Sequence, residues 1–196
     1  QQRLLEHVPL FMSQMGAKLK AAETITEIFR LNRPCCAQIK METIRHFVDI
    51  IASGNLYPRY LRFLQTVVSP AGWRPIKRSQ NMITEALLER QDGLVLFGGD
   101  KDSEERAERK KLVADNDHVK NPTGLLNYHI ELIKLIVLLV SDSNLSNISK
   151  FEVLLPIEQI TTHLMEQGLP LTIKSHFVRY FDEAYLKPPV TTFRKA

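Results

Sequence analysis

The feature that most constrains the fold is the run LLNYHIELIKLIVLLV at residues 125–140, which is apolar on nearly every side of a helix. It carries His129, Glu131 and Lys134 in its interior. It is shorter than the roughly 20 apolar residues that a membrane-spanning helix needs. A helix that is hydrophobic all round must be covered by other elements. We therefore predict a buried core helix with neighbours on all sides, and no insertion of this chain into a membrane.

Amphipathic helical patterns recur along most of the remaining chain, with apolar residues at i, i+3, i+4 and i+7. The stripes are Ile44, Phe47, Val48 and Ile51; Tyr60, Leu61, Leu64, Val67 and Val68; Ile76, Met82, Ile83, Ala86 and Leu87; Ile157, Ile160 and Leu164; and Ile173, Phe177, Tyr180, Phe181 and Ala184. Proline, glycine and short polar turns separate them. The pattern predicts an all-α fold of about seven stacked antiparallel helices, either a closed bundle or part of an alpha solenoid. We favour the solenoid, although no strict sequence repeat is visible.

The helical pattern is interrupted at residues 91–122, which are polar, charged and poor in large apolar side chains. Such a segment buries too little surface to offset the entropy of ordering it. We predict a flexible surface loop over residues 99–120, within which a short helix from Ser103 to Leu112 is an alternative. The length of 196 residues suits one helical domain over residues 1–196.

Composition excludes several classes of function. The net charge is +4, but 26 basic and 22 acidic residues are interleaved along the chain, so we expect no nucleic-acid partner. Cys35 and Cys36 are adjacent, which does not match the spaced thiolates of a zinc site or a disulfide framework. We interpret them as packed free thiols.

Motifs for nucleotide or metal chemistry are incomplete. Gly93 and Gly98 have the spacing of a phosphate-binding loop, but Gly99 and Asp100 stand where that loop needs Lys and then Ser or Thr. The histidines are scattered, without a pair four residues apart, and His129 is interpreted as a hydrogen-bonded core residue. We predict no catalytic residue, no metal site and no cofactor, and hence no enzyme.

The most concentrated basic patch is GWRPIKRS, residues 72–79. One interpretation, which we favour, is a solvated helix start with Trp73 packed against a neighbouring element. The other is a surface that contacts an acidic partner through Arg74, Lys77 and Arg78.

Four segments carry a resemblance to a known family: RFLQTVV at 62–68, KRSQNMITEALLERQDGLVLF at 77–97, NPTGLLNYHIELIKLI at 121–136 and FEVLLPIEQI at 151–160. In this order they resemble a helical domain in the cytosolic part of inositol trisphosphate receptors that is shared with ryanodine receptors. The resemblance covers residues 40–186 and is clearest from 77 to 160. It implies an armadillo-like alpha solenoid, in which Leu94 to Phe97 anchor the start of the charged loop against the core.

The resemblance also implies a function. We expect a non-catalytic regulatory and structural module of an intracellular ligand-gated calcium-release channel, which couples ligand binding to pore gating. The expected partners are other domains and subunits of a tetrameric parent channel, at the cytosolic face of an intracellular calcium store such as the endoplasmic reticulum. No ligand-binding residue is carried over. We expect the chain to be a fragment that is monomeric in isolation. The alternative is a freestanding helical-repeat adaptor that binds acidic or helical peptides.

Overall fold

The structure is a computed structural model that describes residues 2–15, 20–90, 104–115 and 117–187. Every regular element among these residues is helical, which confirms the all-α prediction. The α-helices are α1 Val8–Ser13, α2 Ala21–Phe29, α3 Arg33–Ala37, α4 Met41–Ala52, α5 Pro58–Val68, α6 Lys77–Glu89, α7 Glu104–Ala114, α8 Asp117–Lys120, α9 Leu125–Val140, α10 Leu145–Leu154, α11 Ile157–Met165 and α12 Leu171–Phe181. A 3-10 helix precedes α1 at Gln2–His7, and a π-helical turn follows α12 at Asp182–Leu186.

The helices stack in two rows. In the first row α2 packs on α5, α5 on α9 and α9 on α12. In the second row α4 packs on α6 and α6 on α10, and the rows meet through the pairs α4–α5, α6–α9 and α9–α10. Stacked pairs in which each layer contacts mainly its neighbours are the architecture of an alpha solenoid. The predicted solenoid-like fold is therefore confirmed.

The apolar helix α9 lies in the middle of the stack, with α5 on one side and α12 on the other. Leu132, Leu135 and Ile136 are fully buried, as the sequence pattern predicts. This position explains why α9 is hydrophobic all round, whereas a helix at the edge of a stack needs only one apolar stripe.

The buried carboxylate of Glu131 on α9 is fully engaged by polar neighbours. Gln65 Nε2 on α5 donates to Glu131 Oε2 at 2.8 Å and to its backbone oxygen at 2.9 Å. Lys134 Nζ lies 3.1 Å and Arg62 Nε 3.4 Å from Glu131 Oε1. A buried charge is tolerated when such partners satisfy it, so this cluster fixes the register of α9 against α5.

Where the structure describes it, the expected loop at 99–120 is helical. α7 matches the short helix considered as an alternative, and α8 follows it. The segment is ordered because Arg109 anchors it to the rest of the protein. The fully buried guanidinium of Arg109 pairs with Glu166 and lies 2.9 Å from His163 Nδ1. A buried, charge-assisted contact of this kind orders a segment that has little apolar surface. The run Leu94 to Phe97 lies outside the described residues.

Among the described helices none is both long and apolar enough to cross a membrane, and α9, the most apolar of them, has 16 residues.

Candidate functional site

The turn between α5 and α6 places Trp73 and Arg74 on the surface. Ala71 and Gly72 have positive φ angles of 56° and 74°, so the chain reverses sharply after α5. Ser69 Oγ donates a hydrogen bond to the backbone oxygen of Trp73 at 2.5 Å, which closes the turn. Left-handed backbone is costly for a residue other than glycine, and the closing hydrogen bond helps to hold it.

A second turn, between α9 and α10, meets the first. Asp142 and Ser143 have positive φ angles of 61° and 54°. The buried Gln80 of α6 donates to the backbone oxygens of Leu138 and Ser141, at 2.8 and 3.0 Å. Gln80 therefore caps the last turn of α9 from outside the helix and fixes the position of Asp142.

Arg74 joins these two turns and the start of α3. Its Nε donates to Asp142 Oδ2 at 2.8 Å, and its backbone oxygen accepts from Arg33 Nη1 at 2.6 Å. The hydrogen bond from Arg74 lowers the pKa of Asp142, assisted by the nearby charges of Arg74 and Lys77. The Arg74 side chain is 78% exposed, so solvent screens this ion pair and it contributes little to stability.

Arg78 and Lys77 have different surroundings despite their adjacent positions. Arg78 Nη1 donates to the backbone oxygens of Ala37 and Ile39, at 2.9 and 3.0 Å, and so caps the end of α3. Lys77 is exposed at the first position of α6. Of the three predicted contact residues, Lys77 is exposed, and Arg74 is largely exposed although it pairs with Asp142. The Arg78 guanidinium instead forms hydrogen bonds within the fold.

Trp73 is not packed against a neighbouring element, as the favoured sequence interpretation held, because 56% of its surface is exposed. The left-handed turn before it carries the indole outward. An exposed tryptophan beside cations is typical of protein interfaces, where Trp and Arg contribute most of the binding energy. We name the group Arg33, Trp73, Arg74 and Lys77 the basic corner.

The buried histidines belong to the core. His129 and His163 are 1% and 2% exposed, and their rings lie 6.2 and 4.6 Å from the ring of Phe177. The interpretation of His129 as a core residue is confirmed. Within the described ranges, no group of three or more His, Cys, Asp or Glu side chains is arranged to hold a metal ion.

Cys35 and Cys36 are both free and buried, which confirms their interpretation as packed thiols. The Cys36 Sγ donates to the backbone oxygen of Phe29 at 3.3 Å. Burial, followed by the proximity of Cys35, raises the pKa of Cys36 to about 12. Cys36 is therefore a weak nucleophile, because the thiolate is the reactive form.

Sequence reasoning missed three residues that shape this surface and its surroundings. Arg33 and Asp142 contact Arg74 from 41 and 68 positions away, and no local pattern indicates such pairing. Arg109 stands among many charged neighbours in the sequence, so its burial has no compositional signal. The glycines Gly93 and Gly98 lie outside the described residues.

Comparison with protein families gives a match over residues 1–96 to the RIH domain of the inositol trisphosphate and ryanodine receptor family. Among the described helices, the match includes α1 to α6. It begins earlier and ends earlier than the resemblance in the sequence, which is clearest from 77 to 160.

Among curated proteins, the chain is similar to the inositol 1,4,5-trisphosphate receptor itr-1 of Caenorhabditis elegans. The two are 23% identical over 167 residues, which cover 83% of this chain. The chain spans about 6% of the length of that receptor. The resemblance to the inositol trisphosphate and ryanodine receptor family is thus confirmed, with an RIH domain matched over residues 1–96.

Proposed function

We propose that this chain is a non-catalytic regulatory and structural module of an intracellular ligand-gated calcium-release channel. The observation that carries the proposal is the RIH-domain match over residues 1–96. The similarity to a receptor about fourteen times longer supports a module within a large polypeptide. The parent protein would be a tetramer with this module at the cytosolic face of a calcium-store membrane.

The stack of helices supports a mechanical role in this setting. The first row, α2–α5–α9–α12, runs through the whole described structure, and each helix contacts the next. The cluster around Glu131 holds α5 and α9 in register. A displacement imposed at one end of such a row is passed to the other end, while small rotations between layers are tolerated. The module would in this way couple ligand binding to the pore.

The basic corner is the surface through which the module would contact another domain of the channel. It presents an exposed tryptophan and the charges of Arg74 and Lys77 next to two rigid turns. The hydrogen bond to Asp142 already restrains the Arg74 side chain, so it loses less entropy on binding than a free side chain would. The basic corner would therefore favour an acidic surface as its partner.

The coupling proposal is tested in the full-length channel, expressed in cells that lack their own calcium-release receptors. Arg74→Glu/Lys77→Glu reverses the corner's exposed charges. We expect unchanged ligand binding, but calcium release that requires several-fold more ligand. The matched control is Lys20→Glu/Lys150→Glu, two exposed lysines elsewhere. Wild-type ligand sensitivity of release in both variants would refute a contact role for the corner.

A channel lacking residues 1–196 tests the module as a whole. We expect retained ligand binding without calcium release, and normal gating would reject coupling. The size of the endogenous polypeptide gives an independent measure. A very large protein in the membrane fraction agrees with the proposal, whereas a small polypeptide outside that fraction would favour the adaptor.

A further inference from the structure

The outer side of α12 carries an open groove beside the end of α11. Six residues line it, namely Leu164, Leu171, Lys174, Ser175, Val178 and Arg179, and its volume is about 780 Å³. Leu171 is 83% exposed and Val178 is 51% exposed. The structure therefore leaves large apolar side chains uncovered on a helix whose other side is packed on α9.

The position of α12 in its row explains the open side. α5 and α9 each have a helix of the row on both sides, whereas α12 contacts the row through α9. The end of a helical stack normally carries a polar outer face. Leu171 and Val178 depart from that rule, which points to a surface that another element covers.

The spacing of the apolar residues matches a helix as the occupant. Leu171 and Val178 are seven residues apart, so they lie on one face of α12 and are separated by about two turns, or roughly 10 Å. A partner helix that lies along this face can place residues at i, i+3, i+4 and i+7 against them.

The charges of the groove specify the partner's polar residues. Lys174 and Arg179 are the charged members of the lining, and no carboxylate is among its six residues. In the part of the chain that the structure describes, neither cation forms an ion pair with an acidic side chain. Near the groove, the pKa of His176 is lowered first by burial and then by the positive charges of Lys134 and Arg179, while Glu131 acts in the opposite direction. Acidic residues on a docked helix would complement the two cations of the groove.

We propose that the groove between α11 and α12 is the docking site for an amphipathic helix of a partner domain that carries glutamate or aspartate beside its apolar stripe. An anionic membrane would also attract two cations beside apolar residues. A groove whose two cations, Lys174 and Arg179, flank the apolar stripe of Leu171 and Val178 suits a cylindrical helix better than a flat lipid surface. This inference does not depend on the channel assignment.

The test uses the 196-residue protein and a fluorescein-labelled, hydrocarbon-stapled peptide of about five turns, with Leu at i, i+3, i+4 and i+7 and Glu at the other positions. Fluorescence anisotropy measures its binding. We expect a Kd in the range of about 1–100 µM. A stapled peptide with the same Leu stripe, but Lys in place of Glu, should bind at least about tenfold more weakly. No binding of the acidic peptide at millimolar protein, or equal binding of both peptides, would overturn the proposal.

Matched variants locate the site. Leu171→Ser/Val178→Ser should abolish peptide binding, and Lys174→Glu/Arg179→Glu should weaken it about tenfold or more. The controls are Leu31→Ser, which changes a leucine that is 61% exposed, and Lys20→Glu/Lys150→Glu; both should bind as the wild type does. Circular dichroism verifies that each variant is folded. Binding that persists in Leu171→Ser/Val178→Ser would place the peptide elsewhere and refute the proposed site.

Two further measurements separate other occupants. Sedimentation of the protein with vesicles of phosphatidylserine and phosphatidylcholine tests a membrane, and analytical ultracentrifugation without peptide tests a second copy. We expect neither vesicle binding nor self-association that depends on Leu171. Vesicle binding or self-association that is observed for the wild type and abolished in Leu171→Ser/Val178→Ser would show that a membrane or a second copy occupies the groove. Either observation would contradict the partner helix.

Discussion

At Arg78 a surface guanidinium supplies hydrogen bonds that the end of α3 would otherwise lack. Arg78 donates two hydrogen bonds to the backbone oxygens of Ala37 and Ile39, which lie at and just after the end of α3. We expect Arg78→Ala to lower the free energy of unfolding by about 1–2 kcal/mol. Urea denaturation measures the change. The neighbouring Lys77→Ala, which removes the same charge, should change stability by less than about 0.5 kcal/mol. Equal effects of the two variants would contradict a structural role for Arg78.

His176 makes the stability of the domain sensitive to acid. Burial and then the charges of Lys134 and Arg179 lower its pKa below 6.5, while Glu131 acts in the opposite direction. The unfolded chain therefore binds a proton more readily than the folded chain. Stability falls as the pH drops through about 6.5 toward the folded-state pKa.

The corresponding prediction concerns the slope of stability with pH. Between pH of about 7.5 and 5.5, His176→Gln should lose less unfolding free energy than the wild type, because one source of proton uptake on unfolding is gone. Urea titrations at both pH values measure this. Replacement of the exposed His7 by Gln serves as the control. A slope that is the same in His176→Gln and the wild type would show that His176 does not contribute.

At the scale of single residues, the sequence indicates charge and hydrophobicity better than it indicates partners. The basic patch at Arg74 and Lys77 is correctly placed on the surface. Its connection to Asp142 depends on two left-handed turns that meet only in the folded chain. The outward position of Trp73 depends on the same backbone geometry, so hydrophobicity alone suggests burial and is wrong there.

At the scale of elements, the position of α7 depends on the buried ion pair between Arg109 and Glu166. We expect Arg109→Ala to release α7 from Glu166 and to increase tryptic cleavage at Lys110 and Lys111, because the helix loses its buried ion pair. Limited proteolysis followed by mass spectrometry measures the rate. Glu108→Ala, an exposed change one residue earlier, should leave cleavage unchanged. Unaltered cleavage in Arg109→Ala would show that other contacts hold α7.

The helices with strong apolar stripes could be predicted from periodicity. α4 and α5 bury every residue of their stripes, and in α6 and α12 only Met82 and Phe181 are half-buried. The region of α7 could not, because it has no apolar stripe: its long-range contacts are the buried side chain of Arg109 and the partly buried Leu112 and Val113. Entropy and composition argue for a loop, but the buried contacts of Arg109 favour an ordered helix. The flexibility expected for residues 99–120 remains a prediction.

For the whole molecule, the two-row stack predicts where unfolding begins. α9 is covered on both sides by its row, so its amides should exchange with solvent only through global unfolding. α1 is short and has one buried residue, so its amides should exchange faster, through local opening. Hydrogen–deuterium exchange with mass spectrometry compares the two. Equal protection of α1 and α9 would contradict a graded stack.

The architecture of the whole molecule could be inferred from the sequence because α9 is apolar all round and the other helices are amphipathic. Which helices pair across the rows could not be inferred, because the stripes do not identify their partners. The open groove on α12 could not be predicted either, because the sequence does not distinguish an exposed leucine from a core leucine.

The two adjacent buried thiols of α3, Cys35 and Cys36, make the local opening of this helix measurable by chemical labelling. Burial raises the pKa of Cys36 to about 12, so its thiol stays protonated at neutral pH, and the packing around it excludes reagents. Alkylation would therefore wait for α3 to open. The rate of maleimide labelling, followed by mass spectrometry, therefore measures how often α3 opens, without any engineered label. A bound partner that stabilises the helices around α3 would lower this labelling rate.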